Sequence, residues 1–123
     1  LIEVQVENAI DEYSARMLAK SVVGSSLVKS AIFGQDPNWG RILCALGYSG
    51  IDFDSNQIEI YLEDTLVFAF GVPTDFSCDQ LSEKLKQADV TIKVNMHGGV
   101  AKGKAWGCDL TYEYVKINAL YHT

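Results

Sequence analysis

The stretch from Asp36 to Arg41 has the residue types in this sequence that most suggest a binding site. Aspartate suits a helix cap and proline suits a first helical turn, so a helix is predicted to begin at Asp36 and Pro37. The free N–H groups of a helix N-terminus attract anions, and Arg41 adds a positive charge, so the stretch could hold a carboxylate. The alternative is that Trp39 anchors the core while Arg41 pairs with a nearby acid. Physical chemistry alone favours this second interpretation.

The other candidate motifs are weaker. The glycine-rich segment at residues 98–104 has neither spacing of a phosphate-binding loop, and no serine or threonine follows Lys104. It is therefore predicted to be an ordinary connection between strands. His97 and His122 are 25 positions apart and form no HExxH pair, so both are predicted to be surface residues and no metal site is predicted.

The cysteines Cys44, Cys78 and Cys108 are odd in number and form no CxxC pair. This pattern argues against a disulfide framework and against a structural zinc site, and it favours a reducing compartment. Cys44 falls within an apolar helix face, and a structural role is predicted for all three.

The chain is acidic, with 16 acidic and 10 basic residues and a net charge of −6. It lacks the cationic surface that binds phosphate backbones or anionic lipids, so neither nucleic acid nor membrane is predicted as a partner. Its longest apolar run, at residues 66–70, is far shorter than the roughly 20 residues of a membrane-spanning helix.

The spacing of apolar side chains predicts the elements that would position these residues. Alternation of apolar and polar residues predicts strands, and recurrence every three or four residues predicts helices. Strands are predicted at residues 2–7, 58–62, 66–70, 90–94 and 105–108. Helices are predicted after caps at Asp11, Ser25 or Ser26, Asp36 and Ser77, with a closing helix from about residue 111. Residues 1–123 are predicted to form a single α+β domain, with a mixed or antiparallel sheet and packed helices.

Four segments resemble the ornithine acetyltransferase family, also called glutamate N-acetyltransferase or the bifunctional arginine-biosynthesis acetyltransferase. They lie at residues 27–34, 36–41, 105–112 and 114–123, and their order and spacing fit the family. The resemblance is to the C-terminal portion of the family's β chain. It implies an α+β C-terminal domain that packs against the catalytic half of the protein.

The resemblance also implies an activity and partners. In this family a precursor cleaves itself before a threonine, and the α and β chains stay together, usually as an α2β2 assembly. The new N-terminal threonine takes an acetyl group from N-acetylornithine and passes it to glutamate by a ping-pong route, with oxyanion donors from the α chain. No cofactor is expected, although some members accept acetyl-CoA as a donor. The expected location is cytoplasmic, or plastid for a plant protein.

Two residues near the C-terminus carry over from the family. Asn118 and Thr123 match, in type and in their five-residue spacing, an asparagine and a threonine that contact substrate. The family's nucleophile and a substrate-binding glutamate precede the segment that matches Leu1. This chain alone is therefore expected to have no catalytic residue and no activity. Leu120 and His122 depart from the family, which usually carries an acid and an arginine or threonine there.

Two other functions stay open at this stage. The first is a non-enzymatic module with the same fold that binds amino acids or other subunits, and the absence of the nucleophile supports it. The second and weaker one is a free-standing N-terminal-nucleophile hydrolase. The sequence upstream of Leu1 would distinguish these from the acetyltransferase.

Overall fold

A computed structural model of the protein describes residues 1–108 and 115–117. Within these residues the strands are β1 (Ile2–Ala9), β2 (Glu59–Leu62), β3 (Thr65–Ala69), β4 (Val72–Pro73), β5 (Val90–Asn95), β6 (Ala101–Gly107) and β7 (Val115–Ile117). They form one sheet in the order β4-β3-β2-β5-β1-β6-β7. The central pair β1 and β5 is parallel, and every other neighbouring pair is antiparallel. The predicted α+β class with a mixed sheet is thus confirmed.

The first strand lies in the middle of the sheet and shows the predicted alternation. Ile2, Val4 and Val6 are buried, whereas the residues between them are half-buried. These three pair in register with Val90, Ile92 and Val94 of β5, which are buried as well. Because successive side chains point to opposite faces of a strand, these residues place one face of β1 and β5 in a common core.

The helices are α1 (Glu12–Val23), α2 (Ser26–Phe33), α3 (Trp39–Gly47) and α4 (Cys78–Lys84), with a short 3-10 helix at Ser55–Gln57. Their inward-facing residues and those of the strands belong to one hydrophobic core. Helix α1 packs on β1 and β6, and α3 packs on α1 and α2. Asp11, Ser25 and Ser77 cap their helices as predicted.

The predicted start of the third helix is wrong by two residues. The cap is Asn38, whose Oδ1 accepts a hydrogen bond from the Arg41 N–H at 3.1 Å. Asp36 lies in the turn that closes α2, where its N–H donates to Ala31 O at 2.8 Å, and Asn38, two residues later, takes the capping role. Pro37 lies in the connection that follows.

The C-terminal part of the chain contains two further corrections. Strand β6 begins at Ala101, four residues earlier than predicted, because the second half of the glycine-rich segment pairs with β1. The predicted closing helix is wrong at Val115–Ile117, which forms a strand antiparallel to β6. Val115 and Ile117 flank Lys116, so the sequence has period two there as well as helical spacing. The rest of that predicted helix lies outside the described residues.

Trp39 joins the first turn of α3 to the sheet. Its ring stacks on Phe68 of β3 with centroids 5.1 Å apart and an interplanar angle of 26°. Phe68 is buried, and Trp39 is partly buried against the core. The interpretation of Trp39 as a core anchor is therefore supported by its contacts.

We expect Trp39→Ala to lower the free energy of unfolding by about 2 kcal/mol, below the roughly 3–5 kcal/mol for a fully buried tryptophan. The loss comes from the apolar surface and the aromatic stack with Phe68. Tyr48→Ala is the matched control, because Tyr48 is 88% exposed and should change stability little. Chemical denaturation measures both variants, and equal stabilities would contradict a structural role for Trp39.

Candidate functional site

The corner between α2 and α3 contains the Asp36–Arg41 stretch. Arg41 Nη1 donates to the backbone oxygen of Leu27 at 3.0 Å, so the guanidinium ties α3 to the first turn of α2. The carboxylate of Asp36 accepts from Asn38 Nδ2 at 3.2 Å. Arg41 therefore bonds a carbonyl and not the nearby acid that was predicted, and its remaining N–H groups keep the capacity to bind an anion.

Lys29 is the buried cation of this corner. It lies on α2 beside Val28 and Ile32, and only 5% of its surface is exposed. Lysine is rarely this buried unless it is paired. Sequence reasoning included Lys29 in the segment at 27–34 but assigned it no role.

The face of the sheet opposite the core carries polar side chains that pair across strands. Trp106 Nε1 donates to Glu3 Oε1 at 2.8 Å, and Gln5 also donates to the Glu3 carboxylate. Lys93 lies 4.0 Å from the Glu7 carboxylate. Neighbouring strands thus match acids with donors or cations on this face.

The environment of Glu3 shifts its titration. Partial burial raises its pKa, but hydrogen bonds from Gln5 and Trp106, with the charge of Lys104, hold the pKa of Glu3 below its ordinary value. The carboxylate is therefore stabilised in its charged form.

His97 is exposed, as the sequence predicts, and specific contacts hold its ring. Its Nε2 lies 2.6 Å from Glu59 Oε1, and its ring packs on Phe70 with centroids 5.6 Å apart. The backbone of His97 has a φ of 50°, and its N–H donates to Asn95 Oδ1 at 3.0 Å. The Glu59 carboxylate therefore fixes the orientation of the His97 ring.

The glycine-rich segment uses its N–H groups within the chain. Gly98 and Gly99 both donate to the carbonyl of Asn8, at 2.8 and 2.9 Å. A Cβ at Gly99 would lie 2.5 Å from the carbonyl oxygen of Ala9, so this close approach requires glycine. These contacts support the predicted structural connection.

Two openings lie near these residues. A groove of about 540 Å³ runs between the ends of α1, α2 and α3, and Met17, Leu27 and Tyr48 line it. A more enclosed cavity of about 260 Å³ lies beside Ala9 and Met96, at the carboxyl ends of β1 and β5. The lining of the first is mostly apolar, which suits the packing of side chains more than acid–base chemistry.

The cysteines and potential metal ligands among the described residues form no metal-binding group. Cys44 and Cys78 are exposed and Cys108 is half-buried, and all three are free thiols. The expected place of Cys44 in the apolar face of its helix is therefore wrong. Within residues 1–108 and 115–117, no three histidine, cysteine or acidic side chains could hold a metal ion.

The two predicted substrate contacts, Asn118 and Thr123, lie outside the described residues. The chain is described up to Ile117 of β7, which pairs with Ala105 of β6. Ala105 in turn pairs with Val4 of the central strand. The role of Asn118 and Thr123 stays a prediction.

The family of this chain follows from its match to a sequence profile. The sequence profile of the ArgJ family matches residues 1–123. The chain belongs to the ArgJ family.

Members of the ArgJ family with established names are closely similar to this chain. The arginine biosynthesis bifunctional protein ArgJ of Streptococcus mutans is 55% identical over 123 residues, covering 100% of this chain and 31% of that protein. The protein of the same name from Staphylococcus epidermidis is 50% identical with the same coverage. The chain thus spans about a third of the length of these relatives, and its C-terminal placement in the family stays a prediction.

A solved ArgJ structure has the same fold. The crystal structure of the arginine biosynthesis bifunctional protein ArgJ from Bacillus halodurans is 50% identical and superposes with a TM-score of 0.86. The match covers 92% of this chain and 54% of that chain. No helix in the described part of the chain is long and apolar enough to cross a bilayer.

Sequence reasoning missed three features of this ArgJ chain: the burial of Lys29, the Glu3–Trp106 bond and the His97–Glu59 pair. The first had a signal, because Lys29 follows Val28 and precedes Ile32 by three positions, which places it near the inward face of α2. The other two join residues 103 and 38 positions apart, so they depend on strand order and register.

We expect Trp106→Phe to raise the pKa of Glu3 towards the ordinary glutamate value of about 4.3, because the indole donor is lost. In the wild type the pKa of Glu3 is lowered by folding, so its contribution to stability is present above about pH 4.3 and is lost as the pH falls through the folded value. The variant should lose less stability in this acidic range. An NMR titration of the Glu3 carboxyl measures the shift.

Trp39→Phe is the control, because it makes the same substitution on α3, away from Glu3. An unchanged pKa of Glu3 in Trp106→Phe would contradict the role given to the indole donor.

Proposed function

We propose that this chain is part of a glutamate N-acetyltransferase of arginine biosynthesis, which transfers acetyl from N-acetylornithine to glutamate. The observation that carries the proposal is the match of all 123 residues to the ArgJ family. The names of the relatives, arginine biosynthesis bifunctional proteins, support the pathway. Because the chain covers 31% of such a protein, the activity is proposed for the full-length protein.

The proposed chemistry uses an N-terminal threonine outside this chain. Its hydroxyl attacks the acetyl carbonyl of N-acetylornithine, the amide C–N bond breaks, and the proton leaves with the ornithine amine. The amine of glutamate then attacks the acetyl ester, the ester C–O bond breaks, and a proton returns to the threonine oxygen. Splitting one difficult transfer into two steps is the general advantage of covalent catalysis.

The part proposed for this chain is to supply the fold and the substrate contacts. Asn118 can both donate and accept hydrogen bonds, which suits the polar groups of an amino acid. Thr123 adds a hydroxyl group.

The proposed partners are the α chain and the rest of the β chain, produced by autocatalytic cleavage and assembled as α2β2. The donor is N-acetylornithine, with acetyl-CoA as an additional donor in a bifunctional enzyme. The proposed location is the cytoplasm, or the plastid if the source is a plant.

The isolated 123-residue chain should have no acetyl-transfer activity, because the nucleophile and the oxyanion donors are proposed to lie elsewhere. The measurement is an assay of the chain with N-acetylornithine and glutamate, with the full-length protein as the positive control. Turnover by the isolated chain above the buffer rate would contradict this division of roles. A full-length protein that binds amino acids but transfers no acetyl would favour the non-enzymatic module.

In the full-length assembly, Asn118→Ala should lower kcat/KM by about 10- to 150-fold and leave the melting temperature nearly unchanged. The reason is the loss of a hydrogen bond to a charged substrate group, which contributes about 1.5–3 kcal/mol. Kinetics and melting are measured on one preparation.

Asn56→Ala is the control for this substitution, because Asn56 is exposed in the 3-10 helix. Lower stability with normal kcat/KM in Asn118→Ala would mean that the residue serves the fold and does not bind substrate.

A further inference from the structure

Lys29 occupies an unusual position for a charged side chain. Ser25 caps α2, and the inward face of the helix that follows consists of Val28, Lys29, Ala31 and Ile32. Lys29 is as buried as these apolar neighbours, with 5% of its surface exposed against 6% for Ile32. Its stem is therefore packed inside the helical layer.

The ammonium group of Lys29 has no protein partner in the part of the chain that the structure describes. No ion pair or hydrogen bond of the described residues involves Lys29 Nζ. Every fully enclosed side-chain nitrogen or oxygen there does have a partner, so Nζ itself keeps contact with solvent. The charge thus lies at the solvent-contacting end of a buried stem. A long side chain held in this way loses rotamer freedom without gaining an ion pair.

The surroundings of Lys29 favour anions. The three helices and their caps, residues 11–48, carry four basic residues, Arg16, Lys20, Lys29 and Arg41, and three acids, Asp11, Glu12 and Asp36. This segment therefore has a net charge of +1, although the chain as a whole has a net charge of −6. Arg41 reaches the carbonyl of Leu27, two residues before Lys29, so a second cation contacts the N-terminal half of α2. Such a local field attracts an anionic group to Lys29 Nζ.

The chemistry of the site points to a carboxylate. Phosphate groups are usually held by several convergent donors or by the N–H groups at a helix N-terminus, whereas Lys29 offers one compact charge in the second turn of α2. Glutamate and N-acetylornithine both carry a carboxylate on the carbon that bears the reacting nitrogen. One lysine could therefore hold the donor and the acceptor in the same orientation.

We propose that Lys29 binds this shared carboxylate of the two amino-acid substrates. The inference rests on the proposed function, and it assigns a substrate-binding residue on α2 in addition to Asn118 and Thr123. The alternative is that the stem of Lys29 only fills the core while its ammonium group is hydrated, as long basic side chains often do.

The test measures binding of glutamate to the full-length protein by calorimetry, with no acetyl transfer required. Lys29→Met keeps an unbranched stem and removes the charge, and we expect it to weaken glutamate binding by about 10- to 150-fold. Lys29→Gln should do the same, and Lys29→Arg should retain more affinity than either. Lys20→Met is the matched control, because Lys20 is exposed on α1, and it should leave the affinity within about twofold.

A stability measurement accompanies the binding assay. Removing an unpaired charge from a buried stem is usually neutral or stabilising, so Lys29→Met should melt at or above the wild-type temperature. Wild-type affinity in Lys29→Met and Lys29→Gln would overturn the proposal. If neither neutral variant folded, Lys29 would be a structural residue, and that result would overturn it as well.

Acetyl transfer by the wild type, measured in parallel, separates this inference from the proposed function. If the wild type transfers acetyl and the neutral Lys29 variants bind glutamate as tightly as the wild type, only the role of Lys29 is rejected. Glutamate binding that depends on Lys29, without any transfer, would reject the acetyltransferase and keep the binding site. A wild type that binds no glutamate would overturn both.

Discussion

The parallel pairing of β1 with β5 is the constraint on which the rest of the structure depends. Two parallel strands cannot be joined by a tight turn, so the chain between them must leave the sheet and return. Here that crossover holds α1 to α4 and the antiparallel strands β2 to β4. Residues at 2–6 and 90–94 supply the buried apolar pairs that fix the register. The helical layer, the outer strands and the candidate site are positioned relative to this pair.

The elements that the sequence predicts correctly are those in which one local pattern dominates. In β1 and β5 strict alternation coincides with complete burial of one face, and in α1 the Asp11 cap and the apolar spacing agree. The failures occur where two patterns compete. The sequence at residues 115–117 fits the period of a strand as well as that of a helix. Pairing with the edge of β6 stabilises the strand. Asp36 and Asn38 are both good caps, and Asn38 Oδ1 accepts from the Arg41 N–H while Asp36 lies in the turn that closes α2.

The candidate site is less predictable than the fold because its contacts join distant parts of the chain. The Asp36–Arg41 motif identifies the correct region, yet which oxygen Arg41 reaches depends on the angle between α2 and α3. Nothing in the sequence near His97 indicates that Glu59 is its partner, because that contact needs β2 to lie beside β5. Resemblance adds Asn118 and Thr123, which local physical chemistry alone would interpret as a helix-end residue and a frayed terminus.

The distribution of charge separates the two sides of the molecule. On the open face of the sheet, Glu3 bonds Trp106, Glu7 lies near Lys93, and Glu59 bonds His97, so these acids have donors or cations within the chain. On the helical side, Lys29 combines deep burial with an ammonium group that has no partner among the described residues. A sheet face whose charges are matched internally gains little from an anionic ligand. In the helical layer, an anionic ligand would supply the counter-charge that Lys29 lacks among the described residues. This difference is why an anionic substrate group is assigned to α2 and not to the sheet.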